Sequence, residues 1–263
     1  MRARHMALVA IACLGLSGCV TQRADDGSLQ TSSPTMGDES QDRARARIHT
    51  ELAAGYYELG NTGVALEEAK EAMRSDPNYG PAHNVAALIY ARLKEDRLAE
   101  ESFQRALRIN PNDYDALNNY GSFLCDRKQE REAIRLFLAA IRNPLYTQPD
   151  RSYVNAGVCA RRSGDRASAE EYFQQALKLR PFEPQALYHM ADMSFERGDL
   201  AGAKAYFSRL TQVSESSAQV LWLGVRLARR MGDRNSEASY ALQLRNRYPN
   251  SAEARALGAG KFE

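Results

Sequence analysis

One pattern in this chain recurs every 34 residues and limits the folds that the chain can adopt. Its plainest marks are Asp76-Pro77 and Asn110-Pro111, which lie one period apart. Each proline is expected to end a helix, because proline lacks an amide hydrogen and clashes with the preceding helical turn. A period of this length is typical of a solenoid of helix-turn-helix units and not of an enzyme fold.

Small and aromatic residues also recur at fixed positions of the period. When the prolines are placed at position 32, alanine recurs at positions 20 and 27 and phenylalanine at position 24. The residues concerned are Ala65, Ala99, Ala133, Ala169 and Ala203, then Ala72, Ala106, Ala140 and Ala176, and finally Phe103, Phe137, Phe173 and Phe207. Small side chains let two helices approach closely, and the phenylalanine fills the space beside them. The pattern therefore predicts two tightly packed helices in each unit.

A glycine marks the turn between the predicted helices of four units. Gly60, Gly164, Gly198 and Gly232 are each followed by Asn or Asp. The glycine can end one helix in a left-handed conformation, and the next residue can cap the following helix. Together these marks resemble the tetratricopeptide repeat, which implies an all-α, right-handed superhelical solenoid. We predict six repeats within residues 43–250, followed by a C-terminal tail at 251–263. The repeats are expected to begin near Ala46, Gly80, Tyr114, Asp150, Pro184 and Ala218.

The N-terminus carries the marks of an exported lipoprotein. Arg2 and Arg4 precede an apolar run at 6–16 that is too short for a permanent membrane span. Residues 1–18 are therefore interpreted as a signal peptide. The sequence Leu-Ser-Gly-Cys that ends at Cys19 resembles the bacterial lipobox, which implies lipid attachment to Cys19. An ordinary signal peptide that happens to contain a cysteine is the alternative.

The residues after Cys19 bear on location. Val20 stands where an aspartate would signal retention in the inner membrane, so the lipoprotein resemblance implies the periplasmic face of the outer membrane. Residues 19–42 are rich in Thr, Ser, Gly, Asp and Gln, and we interpret them as the lipidated cysteine followed by a flexible linker. About 20 such residues reach on the order of 25 Å, so the repeats are expected to lie close to the membrane.

Neither the charge nor the motifs of the chain indicate catalysis or nucleic-acid binding. The 35 Lys and Arg residues nearly balance the 33 Asp and Glu residues, and loss of Arg2 and Arg4 would make the balance 33 to 33. A nucleic-acid partner would require a basic surplus on one face. The sequence has no Gly-rich phosphate loop, no Gly-x-Ser-x-Gly elbow and no histidine pair at metal-binding spacing. We expect no enzyme activity, no cofactor and no metal.

Two cysteines remain outside the signal peptide and the lipobox. Cys125 and Cys159 lie in the predicted first helices of the third and fourth repeats, and the first helices of adjacent repeats pack side by side. In an oxidising periplasm this placement favours a disulfide. The alternative is two separately buried thiols, because the two cysteines occupy different positions, 12 and 10, of their repeats.

The first helices of such a solenoid line its concave face, where repeat proteins bind their partners. Positions 2, 5, 9, 12 and 13 of each first helix are expected to point there. The candidate binding residues are Tyr57, Asn84, Leu88, Arg92, Asn118, Ser122, Asp126, Val154, Val158 and Arg162. Asn119 and Asn155 partly match the two-carboxylate clamp of chaperone-binding repeats, but the Lys and Arg residues of that clamp have no match. The mixed lining favours an apolar or amphipathic protein segment over an acidic C-terminus.

The junction between the third and fourth repeats departs from the period, which stretches there from 34 to 36 residues. A tolerated insertion is one interpretation. The junction sequence Asn-Pro-Leu-Tyr at 143–146, with the flanking runs 118–125 and 153–159 that contain the two cysteines, resembles the type IV pilus biogenesis and stability lipoproteins of the PilF/PilW family. This resemblance implies a pilotin, which helps the pilus secretin to localise or to form multimers at the outer membrane.

A general periplasmic adaptor is the alternative from a different class. Such a repeat lipoprotein would dock cell-wall enzymes or outer-membrane assembly factors, and it would not need the irregular junction. If the protein is a pilotin, its expected partners are the type IV pilus secretin and, through the lipid anchor, the outer membrane. We expect a monomer.

Overall fold

The computed structural model of the chain describes residues 39–262, which form thirteen helices and no strand. The predicted signal peptide at 1–18, the lipidation site Cys19 and the linker as far as residue 38 lie outside the described residues. The helices are α1 (Gln41–Glu58), α2 (Thr62–Ser75), α3 (Gly80–Arg92), α4 (Asp96–Ile109), α5 (Tyr114–Asp126), α6 (Glu130–Ile141), α7 (Pro149–Arg162), α8 (Arg166–Leu179), α9 (Pro184–Arg197), α10 (Leu200–Val213), α11 (Ala218–Met231), α12 (Arg234–Arg247) and α13 (Ala252–Gly258). None of the helices in this part of the chain is both long and apolar enough to span a bilayer.

The first twelve helices form six consecutive pairs, so the predicted all-α solenoid of six tetratricopeptide repeats is confirmed. Within a pair the two helices pack against each other, and each first helix also contacts the first helix of the next repeat. The second helices end just before the predicted breakers, for example at Ser75 before Asp76-Pro77 and at Ile109 before Asn110-Pro111. The regular period therefore places these helix ends correctly.

Both ends of the stack differ from the sequence prediction. Helix α1 begins at Gln41, five residues before the expected repeat start, because the Ser40 side chain accepts a hydrogen bond from the Arg43 amide at 3.2 Å and Arg43 pairs with Asp76. At the other end, the segment predicted as a tail contains α13. Its Leu257 is buried in a cluster with side chains of α11 and α12. The last repeat is thus covered by a short helix.

The close helix contacts follow from paired small and aromatic residues. Gly121 and Gly157 lie in α5 and α7 against the rings of Phe137 and Phe173, and an added Cβ would come within 2.8 Å and 2.6 Å of those rings. The alanines at positions 20 and 27 are fully buried in the same way. The second to fifth repeats therefore owe their helix spacing to a phenylalanine ring packed against a glycine or alanine.

Two turns between paired helices carry lysine where the other four carry glycine. Lys94 and Lys128 have φ values of 65° and 61°, in the left-handed region that the four turn glycines also occupy. A side chain with a Cβ is disfavoured there by about 1–2 kcal/mol. The second and third repeats therefore retain lysine in a conformation that favours glycine.

Tyr146 explains how the stack accommodates the long junction. Its ring stacks on that of Tyr114 with centroids 4.9 Å apart, and its hydroxyl lies 3.1 Å from the buried Ser152 hydroxyl. The neighbouring Leu145 is 74% exposed. The extra residues therefore add a buried aromatic ring between the third and fourth repeats without interrupting the stack.

Candidate protein-binding surfaces

A disulfide joins the third repeat to the fourth. Cys125 in α5 and Cys159 in α7 are bonded, with their Cα atoms 5.8 Å apart, within the range that a disulfide spans without backbone movement. Both residues are buried. The bridge fixes the spacing of two first helices that line the same face of the repeat stack.

A cavity of about 630 Å³ opens between the first helices of the first three repeats. We call it the N-terminal groove. It brings together five residues that the sequence predicted for the concave face, namely Tyr57, Leu88, Arg92, Ser122 and Asp126. A second cavity of about 200 Å³ shares Ser122 and Asp126 and adds the predicted Val158 and Arg162. The two cavities therefore adjoin along one face of the stack.

Three of the predicted lining residues are buried, and that part of the prediction is wrong. Asn84, Asn118 and Val154 are only 7%, 3% and 2% exposed. All three occupy position 5 of their repeats, where the side chain faces the neighbouring first helix instead of the groove. The Asn118 Oδ1 atom, for example, accepts hydrogen bonds from the Ser152 hydroxyl at 2.9 Å and from the Asn155 amide at 3.0 Å.

Charged residues that the sequence did not single out line the N-terminal groove. Lys94, Asp96 and Arg127 all contribute to its wall. Arg127 pairs with Asp96, and this hydrogen bond lowers the pKa of the Asp96 carboxyl. Its guanidinium carbon also lies 3.6 Å from the centroid of the Phe123 ring, a cation–π contact. Turn residues and second-helix starts were outside the set of first-helix positions that the sequence analysis considered.

The other cations of the groove differ in their partners. Arg92 lies over the Tyr57 ring at 3.4 Å from its centroid and donates a hydrogen bond to the Tyr57 carbonyl. Among residues 39–262, no carboxylate lies within 4.0 Å of the charged nitrogen atoms of Arg92 or Lys94. Asp126, in contrast, is paired with Arg162 at 2.7 Å. The groove thus carries two cations that form no salt bridge within the described part of the chain, and the charge of Lys94 contributes to the lowered pKa of Asp96.

The first helices of the last three repeats carry a different arrangement, which we call the charge cluster. It consists of Arg161, His189, Asp192, Glu196 and Arg226. Asp192 is 7% exposed and accepts from Arg161 at 2.6 Å and from Arg226 at 2.7 Å. Arg161 also bonds Glu196 at 2.8 Å. The carboxylates and guanidinium groups of this cluster therefore pair with one another, and the buried Nε of Arg226 is left without a hydrogen-bond partner among the described residues.

His189 lies inside the charge cluster. Its ring stacks on Phe173 with centroids 4.8 Å apart, and its Nδ1 atom lies 3.0 Å from Arg161 Nη1. Burial, together with the positive charge of Arg161, lowers the pKa of His189 to about 4. The imidazole is therefore neutral at physiological pH and accepts the hydrogen bond from Arg161.

Helix α1 presents an apolar surface that the sequence analysis missed. Ile48, Leu52 and Leu59 are 50%, 43% and 82% exposed, and with Tyr56 they border a shallow cavity of about 380 Å³. We call these four residues the α1 stripe. Ile48 and Leu52 occupy positions 3 and 7 of the first repeat, and the residues at those positions are buried in each of the other five repeats. These positions normally pack on a preceding repeat, so the exposed pair marks a helix face without a partner among the described residues.

The tetratricopeptide repeat family matches this chain over residues 50–114, 102–135 and 154–218. The type IV pilus assembly protein PilF of Pseudomonas aeruginosa is 34% identical over 255 residues, which cover 97% of this chain and 98% of that protein. The chain belongs to the PilF family of type IV pilus proteins. The predicted family resemblance is thereby confirmed.

Two solved structures of the family agree with this assignment. The structure of P. aeruginosa PilF matches with a TM-score of 0.77 and 32% identity, over 84% of this chain and 100% of that chain. The structure of PilW, a type IV pilus biogenesis factor, matches with a TM-score of 0.73 and 32% identity, over 81% of this chain and 97% of that chain. These two structures therefore support both the repeat fold of this chain and its assignment to type IV pilus biogenesis.

Within residues 39–262 no group of three or more His, Cys, Asp or Glu side chains is placed to hold a metal ion. The N-terminal groove combines cations, amides and aromatic rings, and the α1 stripe is apolar. Proteins of this repeat type act as scaffolds for protein–protein interaction.

Proposed function

We propose that this protein is a pilotin, anchored by lipid at Cys19 to the periplasmic face of the outer membrane, where it binds the type IV pilus secretin and promotes its multimerisation. The observation that carries the proposal is the 34% identity to PilF over almost the full length of both chains. The alignment covers 255 of 263 residues, so it includes Cys19 and the linker wherever its ends fall. The match therefore extends beyond the repeat fold that many unrelated proteins share.

The α1 stripe supports the binding part of this proposal. A partner that presents an apolar helix or hairpin to Ile48 and Leu52 would pack there as a preceding repeat does elsewhere in the stack. Full burial of an exposed leucine contributes about 1.5–3 kcal/mol. Ile48 and Leu52 are 50% and 43% exposed, so each would contribute about half of that to the affinity for a partner. Because α1 directly follows the proposed linker, a subunit bound there would lie near the membrane.

The anchor supplies the transport part of the proposal. Secretin subunits must reach the outer membrane before they can form a ring, and a carrier with acyl chains lends them its own membrane affinity. Several acyl chains hold a protein far more firmly than one, since each buried methylene contributes about 0.8 kcal/mol. Binding energy is then the protein's whole contribution, and no catalytic step is required.

Substitution of the lipidation site tests the anchor. In the producing bacterium, Cys19→Ala should leave the repeats folded but reduce heat-stable secretin multimers at the outer membrane, as seen by immunoblot of separated membranes. Cys13→Ala is the matched control, because it removes a cysteine from the same apolar run and leaves the lipobox intact. Unchanged secretin multimers in Cys19→Ala cells would refute the lipid-anchored pilotin.

Substitution within the α1 stripe tests the partner. Leu52→Glu should lower the amount of secretin recovered with the full chain from detergent-solubilised membranes by about tenfold, which corresponds to about 1.4 kcal/mol. Leu242→Glu is the control, since Leu242 is 59% exposed on α12, at the other end of the stack. Recovery of cell-wall hydrolases in place of secretin would favour the adaptor alternative.

A further inference from the structure

We infer that the N-terminal groove is a second binding site and that it takes an extended, acidic segment of a partner protein. The inference goes beyond the proposed secretin-binding role of the α1 stripe and does not rest on it. Three observations carry it: the cavity, its excess of positive charge, and an amide suited to a peptide backbone.

The charge balance of the groove favours an anionic occupant. Of its five charged side chains, Arg127 is neutralised by Asp96, and Asp126 is neutralised by Arg162 from the adjoining cavity. Arg92 and Lys94 remain, and neither has a carboxylate within 4.0 Å among residues 39–262. The groove lining therefore has three positive and two negative side chains, and the charge of Lys94 also acts on Asp96. This excess of positive charge attracts complementary negative charge in a ligand.

Arg92 is held in place before any ligand binds. Its guanidinium group is stacked on the Tyr57 ring and hydrogen-bonded to the Tyr57 carbonyl, which links the second repeat to the first. A guanidinium group has five N–H donors, so others remain available for a carboxylate. Because the side chain is already ordered, binding would cost less conformational entropy than it does for a free arginine.

The groove also has groups for the uncharged parts of a peptide. Asn119 donates its amide N–H to Asn84 Oδ1 at 3.3 Å, and its own oxygen accepts no hydrogen bond from the described residues. A side-chain amide with a free oxygen can accept from a backbone N–H. Leu88 and Tyr57, both half-buried, supply apolar surface beside it. An extended chain in which acidic and apolar side chains alternate would meet both kinds of surface.

Lys94 adds a positive charge at a position where four of the six repeats have glycine. Its φ of 65° disfavours any residue with a Cβ, yet its side chain lines the groove. The fold alone would be better served by glycine. Lys128 has the same conformation but does not line the groove, so the conformation alone does not mark a binding residue. The position of Lys94 in the wall of the groove predicts that a glycine variant gains stability while it loses affinity.

Fluorescence anisotropy of the full chain in a neutral detergent tests the inference. The probe is a labelled, end-blocked heptapeptide of sequence Asp-Leu-Asp-Phe-Asp-Leu-Asp, and the control probe replaces each Asp with Asn. We expect the Asp peptide to bind about tenfold more tightly than the Asn peptide. Its affinity should also fall as the NaCl concentration rises from about 0.05 M to about 0.5 M, because salt screens the cations.

Three variants separate the groove from general charge effects. Arg92→Gln and Lys94→Gly should each weaken binding of the Asp peptide by about threefold or more. Arg97→Gln, at an exposed arginine on α4 outside the groove, should bind like the parent protein. Lys94→Gly should unfold at a higher temperature than the parent, so its lost affinity would not reflect misfolding. Equal binding of the two peptides, or parent-like binding by both groove variants, would overturn the inference.

Discussion

The N-terminal groove and the charge cluster lie on corresponding first helices of the two halves of the repeat stack, yet the two regions use their charged residues in opposite ways. In the charge cluster, one buried Asp192 is held by Arg161 and Arg226. In the groove, Arg92 and Lys94 form no salt bridge within the described chain and line an open cavity of about 630 Å³. The first helices thus pair their charged groups with one another in the last three repeats and leave two cations without a salt bridge beside a cavity in the first three.

The exposure of the two ion pairs indicates which of them stabilises the fold. The side chains of Asp192 and Arg226 are 10% and 13% exposed, whereas those of Asp126 and Arg162 in the groove are 63% and 53% exposed. Exposed pairs contribute about 0–1 kcal/mol, but removal of one member of a buried pair leaves an uncompensated charge and costs about 3–5 kcal/mol. Four predictions test this contrast.

The largest effect is expected in the charge cluster. Asp192→Ala would leave the buried Arg226 without its carboxylate partner, while Arg161 keeps Glu196, so the free energy of unfolding should fall by about 3–5 kcal/mol. Urea unfolding followed by circular dichroism measures this loss. A loss below about 1 kcal/mol would show that the cluster is no more stabilising than a surface pair.

The disulfide between the two regions is expected to contribute nearly as much. It closes a loop with a sequence separation of 34, and replacement of both cysteines by alanine should cost about 3.5 kcal/mol in the chain-entropy model. Urea unfolding of the double variant checks the magnitude. Reductant should reproduce the loss in the parent and have no effect on the variant, and a parent that is insensitive to reductant would contradict the prediction.

Acid should weaken the charge cluster through His189. The pKa of His189 is about 4 in the folded protein and 6.5 in the unfolded chain, so the unfolded chain takes up the proton first. The contribution of neutral His189 to the free energy of unfolding is therefore fully present above pH 6.5 and is lost as the pH falls towards 4. The loss amounts to about 2–3 kcal/mol over that pH range.

Comparison of unfolding free energies at pH 7 and pH 4 measures this effect. His189→Phe keeps the stacking on Phe173 and should lose less stability than the parent on acidification. Tyr188→Phe, at the adjacent residue, should behave like the parent. Identical pH dependence in the parent and His189→Phe would assign the acid sensitivity to other groups.

The smallest effect is expected in the groove. Asp126→Ala removes the exposed partner of Arg162 and should change the free energy of unfolding by at most about 1 kcal/mol. The same urea measurement as for Asp192→Ala makes the comparison direct. A loss as large as that of the Asp192 variant would abolish the distinction between the two regions.

Much of the fold was predictable because the repeat imposes the same packing in each unit. Glycine, alanine, phenylalanine and proline at fixed positions determine helix ends and helix spacing locally, and the predicted starts at Gly80, Tyr114, Pro184 and Ala218 are observed. The ends were less predictable, because a terminal repeat lacks one neighbour. Helix α1 gains its extra turn from the Ser40 cap and the Arg43–Asp76 pair, which no periodicity encodes.

The groove was predictable only in part. Residues at positions 9 and 13, such as Leu88 and Arg92, line it as expected, whereas position 5 turns towards the neighbouring first helix. Lys94 lies in the turn between α3 and α4, and its side chain lines the groove. The sequence did not predict this, because the conformation of the turn depends on the helices on either side. The α1 stripe, in contrast, had a signal in the sequence: Ile48 and Leu52 are large and apolar at packing positions of a first repeat.

The packing of the C-terminal segment on the last repeat can be followed by tryptophan fluorescence. Trp222 is the single tryptophan of the chain, and its ring stacks on Phe262 with centroids 5.6 Å apart, next to the buried Leu257. Its emission therefore reports whether the C-terminal segment is seated on α11, whereas circular dichroism reports the helices of the whole stack. Divergence of the two signals during heating would reveal fraying from this end before the remaining repeats melt.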